Sequence, residues 1–198
     1  MMKTGASLSF QNVTCLRADR ILFEGMDFAL QPGEAALIAG PNGAGKSSLI
    51  RMAAGLLQPA AGHIERRGRL AMSDENLALD MDKPLHRALD FWAGIDGSDS
   101  KAVGEALSAL SLSHLADVPV RMLSTGQRKR AMLARVVAAK APIWLLDEPA
   151  NGLDAASLQL LGGLMQIHLA SGGILLAASH QPLPLIFSHR IDLGAAAA

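Results

Sequence analysis

The sequence predicts an α/β protein built on a parallel β-sheet, and two observations lead to that class. A glycine-rich segment at residues 40–47 follows an apolar strand pattern at residues 35–39 and precedes a helical pattern at residues 47–57. Further along, continuous apolar strand patterns at residues 143–146 and 174–178 alternate with helical patterns. Strands that are apolar along their whole length are buried on both faces, as in a parallel sheet covered by helices.

The segments before the glycine-rich loop predict a small N-terminal β region of antiparallel strands. Short β patterns occur first, and two more follow the loop around Gly68; the ranges are 8–13, 21–23, 26–30, 63–67 and 69–72. The only cysteine, Cys15, lies in this region, which excludes a disulfide framework. We expect Cys15 to be an ordinary strand residue.

Between residues 75 and 140 the apolar pattern changes to helical spacing. Residues 85–92 and 99–110 predict helices, and the second helix has an apolar face formed by Ala102, Val103, Ala106, Leu107 and Leu110. We interpret residues 75–140 as a helical subdomain inserted into a core formed by residues 1–74 and 141–198. With 198 residues, 50% of them hydrophobic, the whole chain is most simply one domain.

The α/β pattern resumes after Pro142. We predict a strand at residues 143–146, a helix at 155–170, a strand at 174–178 and a last strand at 190–193. These elements complete the parallel sheet that begins with the strand before the glycine-rich loop.

The glycine-rich loop is a candidate nucleotide site. Its glycines let the backbone curl closely enough for N–H groups to surround a polyphosphate, and Lys46 adds a positive charge toward the β and γ oxygens. Ser47 can place its hydroxyl on Mg²⁺, and the helix that begins there directs its positive end toward the phosphates. The candidate nucleotide-binding residues of this segment are Gly40, Pro41, Asn42, Gly43, Ala44, Gly45, Lys46, Ser47 and Ser48.

Two adjacent carboxylates, Asp147 and Glu148, follow the strand at residues 143–146. Open α/β sheets bind their ligands at the carboxyl ends of the strands. Asp147 is suited to hold Mg²⁺ through water, and Glu148 is the candidate to orient or deprotonate an attacking water. An isolated Asp-Glu pair is more often a turn or a helix cap, so the catalytic interpretation depends on the phosphate loop.

A third segment, residues 123–127, reads Leu-Ser-Thr-Gly-Gln and precedes a helical pattern. Ser124 can cap that helix, whose free N–H groups would form a second anion site. By itself the segment is an ordinary capped helix start. Its position between the phosphate loop and the two carboxylates gives it functional meaning.

The order of these three segments strongly resembles the ATP-binding subunit of ABC transporters, over about residues 7–194. The resemblance implies a P-loop NTPase fold that hydrolyses ATP with Mg²⁺ and works as a homodimer. Ser124 and Gly126 of one subunit would then meet the γ-phosphate held by Lys46 of the other. The resemblance also assigns His180 as the switch histidine, and it assigns a signature and dimer site to Ser124, Thr125, Gly126, Gln127 and Asp154.

Two positions depart from that family's pattern. The family stacks an aromatic side chain on adenine near Arg17, but no aromatic residue is there, so the guanidinium of Arg17 or Arg20 would have to serve. The family also has a metal-contacting glutamine after the strand at residues 69–72. We assign Glu75 to that position, with Asn76 as the alternative.

The charge balance and hydropathy of the chain limit its partners. With 18 basic and 18 acidic residues, the chain has no electrostatic footprint for nucleic acid. We see no signal-peptide core and no apolar run of the ~20 residues that span a bilayer. The resemblance therefore implies an integral membrane permease subunit as partner, and we expect a peripheral position on the cytoplasmic face of a bacterial inner membrane.

Within the family, the short chain and the segments at residues 25–28, 90–92 and 179–183 resemble the ATPase subunits of cytochrome c maturation. That resemblance implies haem export or handling. Two alternatives stay open, namely the ATPase of another small ABC transporter and a non-transport ABC ATPase, for example in iron-sulfur assembly.

Overall fold

The computed structural model describes residues 5–74 and 78–194. An antiparallel sheet of three strands has the order β2-β1-β4, with β1 at Ser7–Arg17, β2 at Arg20–Leu30 and β4 at Ala61–Arg67. The sequence pattern predicts two short strands, 21–23 and 26–30, where the structure has the single strand β2. The reason is that β1 and β2 stay paired through register shifts around Asn12 and Gly25, which both have positive φ.

The second sheet has five strands, namely β3 (Ala35–Ala39), β5 (Leu70–Ser73), β6 (Ile143–Asp147), β7 (Ile174–Ala178) and β8 (His189–Asp192). They are parallel and have the order β5-β6-β7-β3-β8, which confirms the predicted fold class. Every residue of β6 and β7 is buried, as the continuous apolar patterns indicate.

The described part of the chain has five helices, together with short 3-10 turns at Ser113–Leu115 and Val120–Met122. The first helix ends at Gly55 instead of continuing to residue 57, because Gly55 takes a left-handed φ of 79° and closes the helix. The helices are α1 (Lys46–Ala54), α2 (Leu85–Ile95), α3 (Ser100–Ala109), α4 (Thr125–Ala138) and α5 (Ala155–Ala170).

The sheet separates two apolar cores. On one side Ile143 and Leu145 of β6 join α1 and the antiparallel sheet. On the other side Trp144 and Leu146 join helices α2 to α5. All five residues of the predicted apolar face of α3 are buried, which confirms that face. The boundaries of a helical subdomain at residues 75–140 stay a prediction.

His168 on α5 supplies a pH-dependent contribution to stability. Its ring stacks on Trp144 with centroids 4.0 Å apart, and its Nε2 lies 3.0 Å from the carbonyl oxygen of Ile174. Burial lowers the pKa of the imidazole, and the hydrogen bond to Ile174 offsets this only partly. The neutral form is therefore the one that the fold favours.

We predict that the free energy of unfolding decreases as the pH falls below about 6.5, where an unfolded histidine takes up its proton. The decrease should continue down to the lower pKa of the folded protein. Urea denaturation at about pH 7.5 and about pH 5.5 measures the effect in the wild type and in His168→Gln. The variant should lose less stability between the two pH values, and an equal loss in both proteins would contradict the role of His168.

Candidate nucleotide site

A cleft of about 520 Å³ opens at the phosphate loop. It brings together the loop, the end of β1, and the turns that follow β6 and β7. Its lining residues are Arg17, Leu22, Asn42, Gly43, Gly45, Lys46, Ser47, Ser48, Glu148, Asn151 and His180. Residues that are far apart in sequence thus meet at the carboxyl edge of the parallel sheet, where ligands are expected.

Only glycine fits the backbone at two positions of the phosphate loop. Gly40 has a φ of 144°, and a Cβ there would lie 2.3 Å from the carbonyl oxygen of Leu193. Gly45 has a φ of 104°, and a Cβ there would lie 3.2 Å from the Cβ of Leu22. Gly45 is the N-cap of α1 and makes no side-chain cap, so the first N–H groups of the helix remain available to an anion.

Lys46 is held inside this loop. Its side chain is buried, and its Nζ donates to the carbonyl oxygens of Gly40 at 2.9 Å and Pro41 at 3.1 Å. The ammonium is therefore fixed by the backbone that surrounds it. A polyphosphate in the cleft would meet a positive charge that needs little reorganisation.

The two carboxylates occupy the end of β6 as predicted. Asp147 is its last residue and is 4% exposed. Glu148 follows in a left-handed conformation with φ of 49°, and its N–H donates to the carbonyl oxygen of Ala178 at 2.8 Å. That bond ties the turn after β6 to the end of β7.

Glu148 and His180 form a pair in the cleft. Oε2 of Glu148 accepts from the backbone N–H of His180 at 3.2 Å and lies 2.7 Å from its Nδ1. Because a carboxylate only accepts, Nδ1 carries the proton, and Nε2 remains for another partner. The backbone and side-chain contacts together fix the direction of the carboxylate.

The signature residues lie outside this cleft. Ser124 and Gln127 form a reciprocal capping box at the start of α4, with the Ser124 N–H donating to Gln127 Oε1 at 2.8 Å. A Cβ on Gly126 would lie 3.6 Å from the carbonyl oxygen of Gly152, so the signature turn packs against residues 151–154. Asp154 caps α5 by accepting from the Ser157 N–H at 2.8 Å.

Sequence reasoning missed Leu22 in the cleft. Leu22 reaches the phosphate loop because the β1–β2 hairpin folds over Gly45, a contact that no local pattern reveals. Arg17 lines the cleft as expected, whereas Arg20 is not among its lining residues. The assignment of Glu75, with Asn76 as alternative, lies outside the described residues.

Comparisons with known proteins place the chain in a family by sequence and show the same fold in a solved structure. A sequence model described as ABC transporter matches residues 23–151. By structure, an ABC transporter ATP-binding protein of Pyrococcus furiosus superimposes with a TM-score of 0.82 at 20% identity. The match covers 94% of this chain and 97% of the other. At that identity the likeness shows the fold alone. The chain belongs to the ABC transporter family, as an ATP-binding and ATP-hydrolysing subunit.

Two relatives of high sequence identity are both named as cytochrome c biogenesis proteins. The chain is 56% identical over 178 residues to the cytochrome c biogenesis ATP-binding export protein CcmA of Sphingopyxis alaskensis, covering 90% of this chain and 92% of the relative. It is 55% identical over 180 residues to CcmA of Zymomonas mobilis, and this match covers 91% of the present chain and 81% of the relative. Within the described residues, no helix is both long enough and apolar enough to cross a bilayer.

Proposed function

We propose that the cleft binds Mg²⁺ and ATP and that Glu148 is the general base for ATP hydrolysis. The observation that carries the proposal is the pairing of Glu148 and His180 in the same cleft as Lys46 and the phosphate loop. The loop N–H groups and Lys46 would hold the β and γ phosphates. Glu148 would orient the attacking water and accept its proton, while His180 keeps the carboxylate in place.

The described residues fit a magnesium ion that arrives with the nucleotide. Mg²⁺ prefers oxygen ligands, and it is commonly bound through one or two carboxylates together with substrate phosphates and water. Ser47 lines the cleft and carries a hydroxyl, and Asp147 places a carboxylate at the end of β6, next in sequence to the cleft residue Glu148. No group of three or more His, Cys, Asp or Glu side chains suited to a metal occurs among the described residues. The protein would thus supply part of the shell, and the ion would neutralise charge on the phosphates.

The signature residues support a homodimer. Ser124 and Gly126 lie outside the cleft of their own chain, at the N-terminus of α4. The N-terminus of a helix is suited to bind an anion. In the dimer, the signature turn of one subunit would meet the γ-phosphate held by Lys46 of the other. Thr125, Gln127 and Asp154 would complete that surface.

The names of the relatives support a role in cytochrome c biogenesis. We infer that this chain couples ATP hydrolysis to an integral membrane permease for haem export or handling, on the cytoplasmic face of the inner membrane. Cosedimentation with membranes tests the partner. The chain should leave the membrane fraction when the permease gene is deleted, whereas a chain that is never membrane-bound would favour a non-transport ATPase.

We predict that deleting the gene abolishes holocytochrome c and leaves b-type cytochromes intact. Haem-stained gels and difference spectra of membranes measure both. A plasmid with the wild-type gene should restore the c-type bands, and a plasmid with Lys46→Ala should not. Normal c-type bands in the deletion strain would contradict the role in cytochrome c biogenesis and leave the ATPase assignment in place.

A further inference from the structure

Arg66 on β4 holds the end of α1 that lies away from the nucleotide cleft. Its Nε donates to the carbonyl oxygen of Ala53 at 2.6 Å, and its Nη2 donates to that of Met52 at 2.7 Å. The guanidinium also lies against Gly55, the C-cap of α1, because a Cβ on Gly55 would be 3.7 Å from its Cζ. The last carbonyl groups of a helix have a partial negative charge, which suits a cation with donors in a fixed plane. Two directional bonds therefore attach α1 to the antiparallel sheet at this end.

The same antiparallel sheet meets the other end of α1. Leu22 of β2 packs at Gly45, the N-cap of α1, and Arg17 at the end of β1 lines the cleft. Strand β1 runs from Leu8, which pairs with Arg66, to Arg17. The sheet thus contacts α1 at both ends. Its β1–β2 hairpin forms one wall of the cleft, and the phosphate loop with the start of α1 forms another.

Between its two ends, α1 packs mainly through apolar side chains. Its buried apolar residues belong to the core between the two sheets, and they are Leu49, Ile50, Met52 and Ala53. Apolar packing is non-directional, whereas a hydrogen bond restricts both distance and angle. We therefore expect the bonds from Arg66 to determine where α1 lies along its own axis.

We propose that Arg66 is a positioning residue, which sets the distance between the phosphate loop and the β1–β2 hairpin to the distance that one nucleotide needs. This proposal rests on the proposed nucleotide site. ATP would contact both walls of the cleft, with its phosphates on the loop and its base and sugar toward Arg17 and Leu22. Inorganic tripolyphosphate would contact the loop alone.

The distance of Arg66 from the phosphate loop favours an effect through position over an effect through charge. Arg66 does not line the cleft. Helix α1 has 9 residues, and a helix of that length spans about 13 Å. Charges on a protein surface are largely screened beyond about 10 Å at 0.1 M salt. A shift of α1, in contrast, would move the whole phosphate loop relative to the hairpin.

The test compares a non-hydrolysable ATP analogue with inorganic tripolyphosphate, both with Mg²⁺, by calorimetric titration of the full chain. Arg66→Met should weaken binding of the analogue by roughly 2-fold to 30-fold, the range for substitutions that act without touching the ligand. It should leave tripolyphosphate binding unchanged. The loss should persist at about 0.5 M NaCl, where long-range charge effects are screened.

Arg67→Met is the matched control, since Arg67 is the next residue of β4, is exposed and does not line the cleft. It removes the same charge from the same strand and should bind both ligands as the parent does. Arg66→Lys keeps the charge but lacks the planar fork of donors, so it should lose less affinity for the analogue and none for tripolyphosphate. It gives the same comparison if circular dichroism shows that Arg66→Met does not fold.

Four results are decisive against these expectations. Parent-like binding of the analogue by folded Arg66→Met would show that α1 keeps its position without Arg66. An equal loss for both ligands would show that Arg66 affects the phosphate loop itself and not its distance from the hairpin. A loss that disappears at high salt, or that Arg67→Met shares, would trace the effect to charge. If the parent binds neither ligand, the proposed nucleotide site fails, so the parent alone tells that failure apart from a failure of the role of Arg66.

Discussion

Glu148→Gln is expected to lower the ATP turnover by about 10² or more while leaving ATP binding intact. The amide keeps the size of the side chain and can still accept from the backbone N–H of His180, but it cannot take a proton from water. The Nδ1 contact at 2.7 Å needs an acceptor, so the amide oxygen should stay on that side. Phosphate release at saturating ATP and Mg²⁺ measures turnover, and calorimetry measures binding.

The matched control is Glu24→Gln, which changes an exposed glutamate on β2 that does not line the cleft. It should retain wild-type turnover. Wild-type turnover in Glu148→Gln would remove Glu148 as the catalytic carboxylate. Loss of ATP binding in that variant would instead indicate that the turn after β6 had collapsed.

Lys46→Ala is expected to weaken ATP binding by about 10-fold to 100-fold, the range for a lost hydrogen bond to a charged group, and to remove hydrolysis. Its ammonium contacts only the loop carbonyls of Gly40 and Pro41 in the described structure, so the domain should remain folded. Calorimetric titration with ATP and circular dichroism measure the two effects. Lys101→Ala, an exposed lysine on α3, is the control and should bind ATP normally.

An unchanged ATP affinity in folded Lys46→Ala would contradict the proposed nucleotide site. A variant that binds ATP weakly but turns it over normally at saturation would separate the two roles. Lys46 would then contribute to binding alone.

The sequence predicts those parts of the site that are formed by consecutive residues. The phosphate loop carries its glycines and Lys46 in one segment, and Asp147 and Glu148 follow a strand that is recognisable by its apolar run. The fold class follows from the same runs, because burial on both faces leaves a continuous apolar pattern. Chemistry that depends on neighbouring residues can therefore be recognised in the amino-acid sequence itself.

The remaining parts depend on contacts between distant segments. The bond between Glu148 and His180 requires β6 and β7 to be neighbours in the sheet, an order that no local pattern specifies. Leu22 enters the cleft only because the hairpin folds over Gly45. Arg130 has the appearance of any basic residue in an amphipathic helix, yet its Nη1 donates to the carbonyl oxygen of Leu110 at the end of α3.

Because the signature turn lies outside the cleft of its own chain, the rate of ATP hydrolysis should depend on protein concentration. On the proposed arrangement one chain holds a nucleotide but supplies only half of the groups around its γ-phosphate. Specific activity should then rise with protein concentration, as expected when the active species is formed by mass action. A membrane complex that binds two copies of this chain would hold them together at an effective concentration near millimolar. The two copies would then not need to meet by diffusion. The membrane partner would thereby raise the rate of ATP hydrolysis by holding two chains close together, even without a conformational signal.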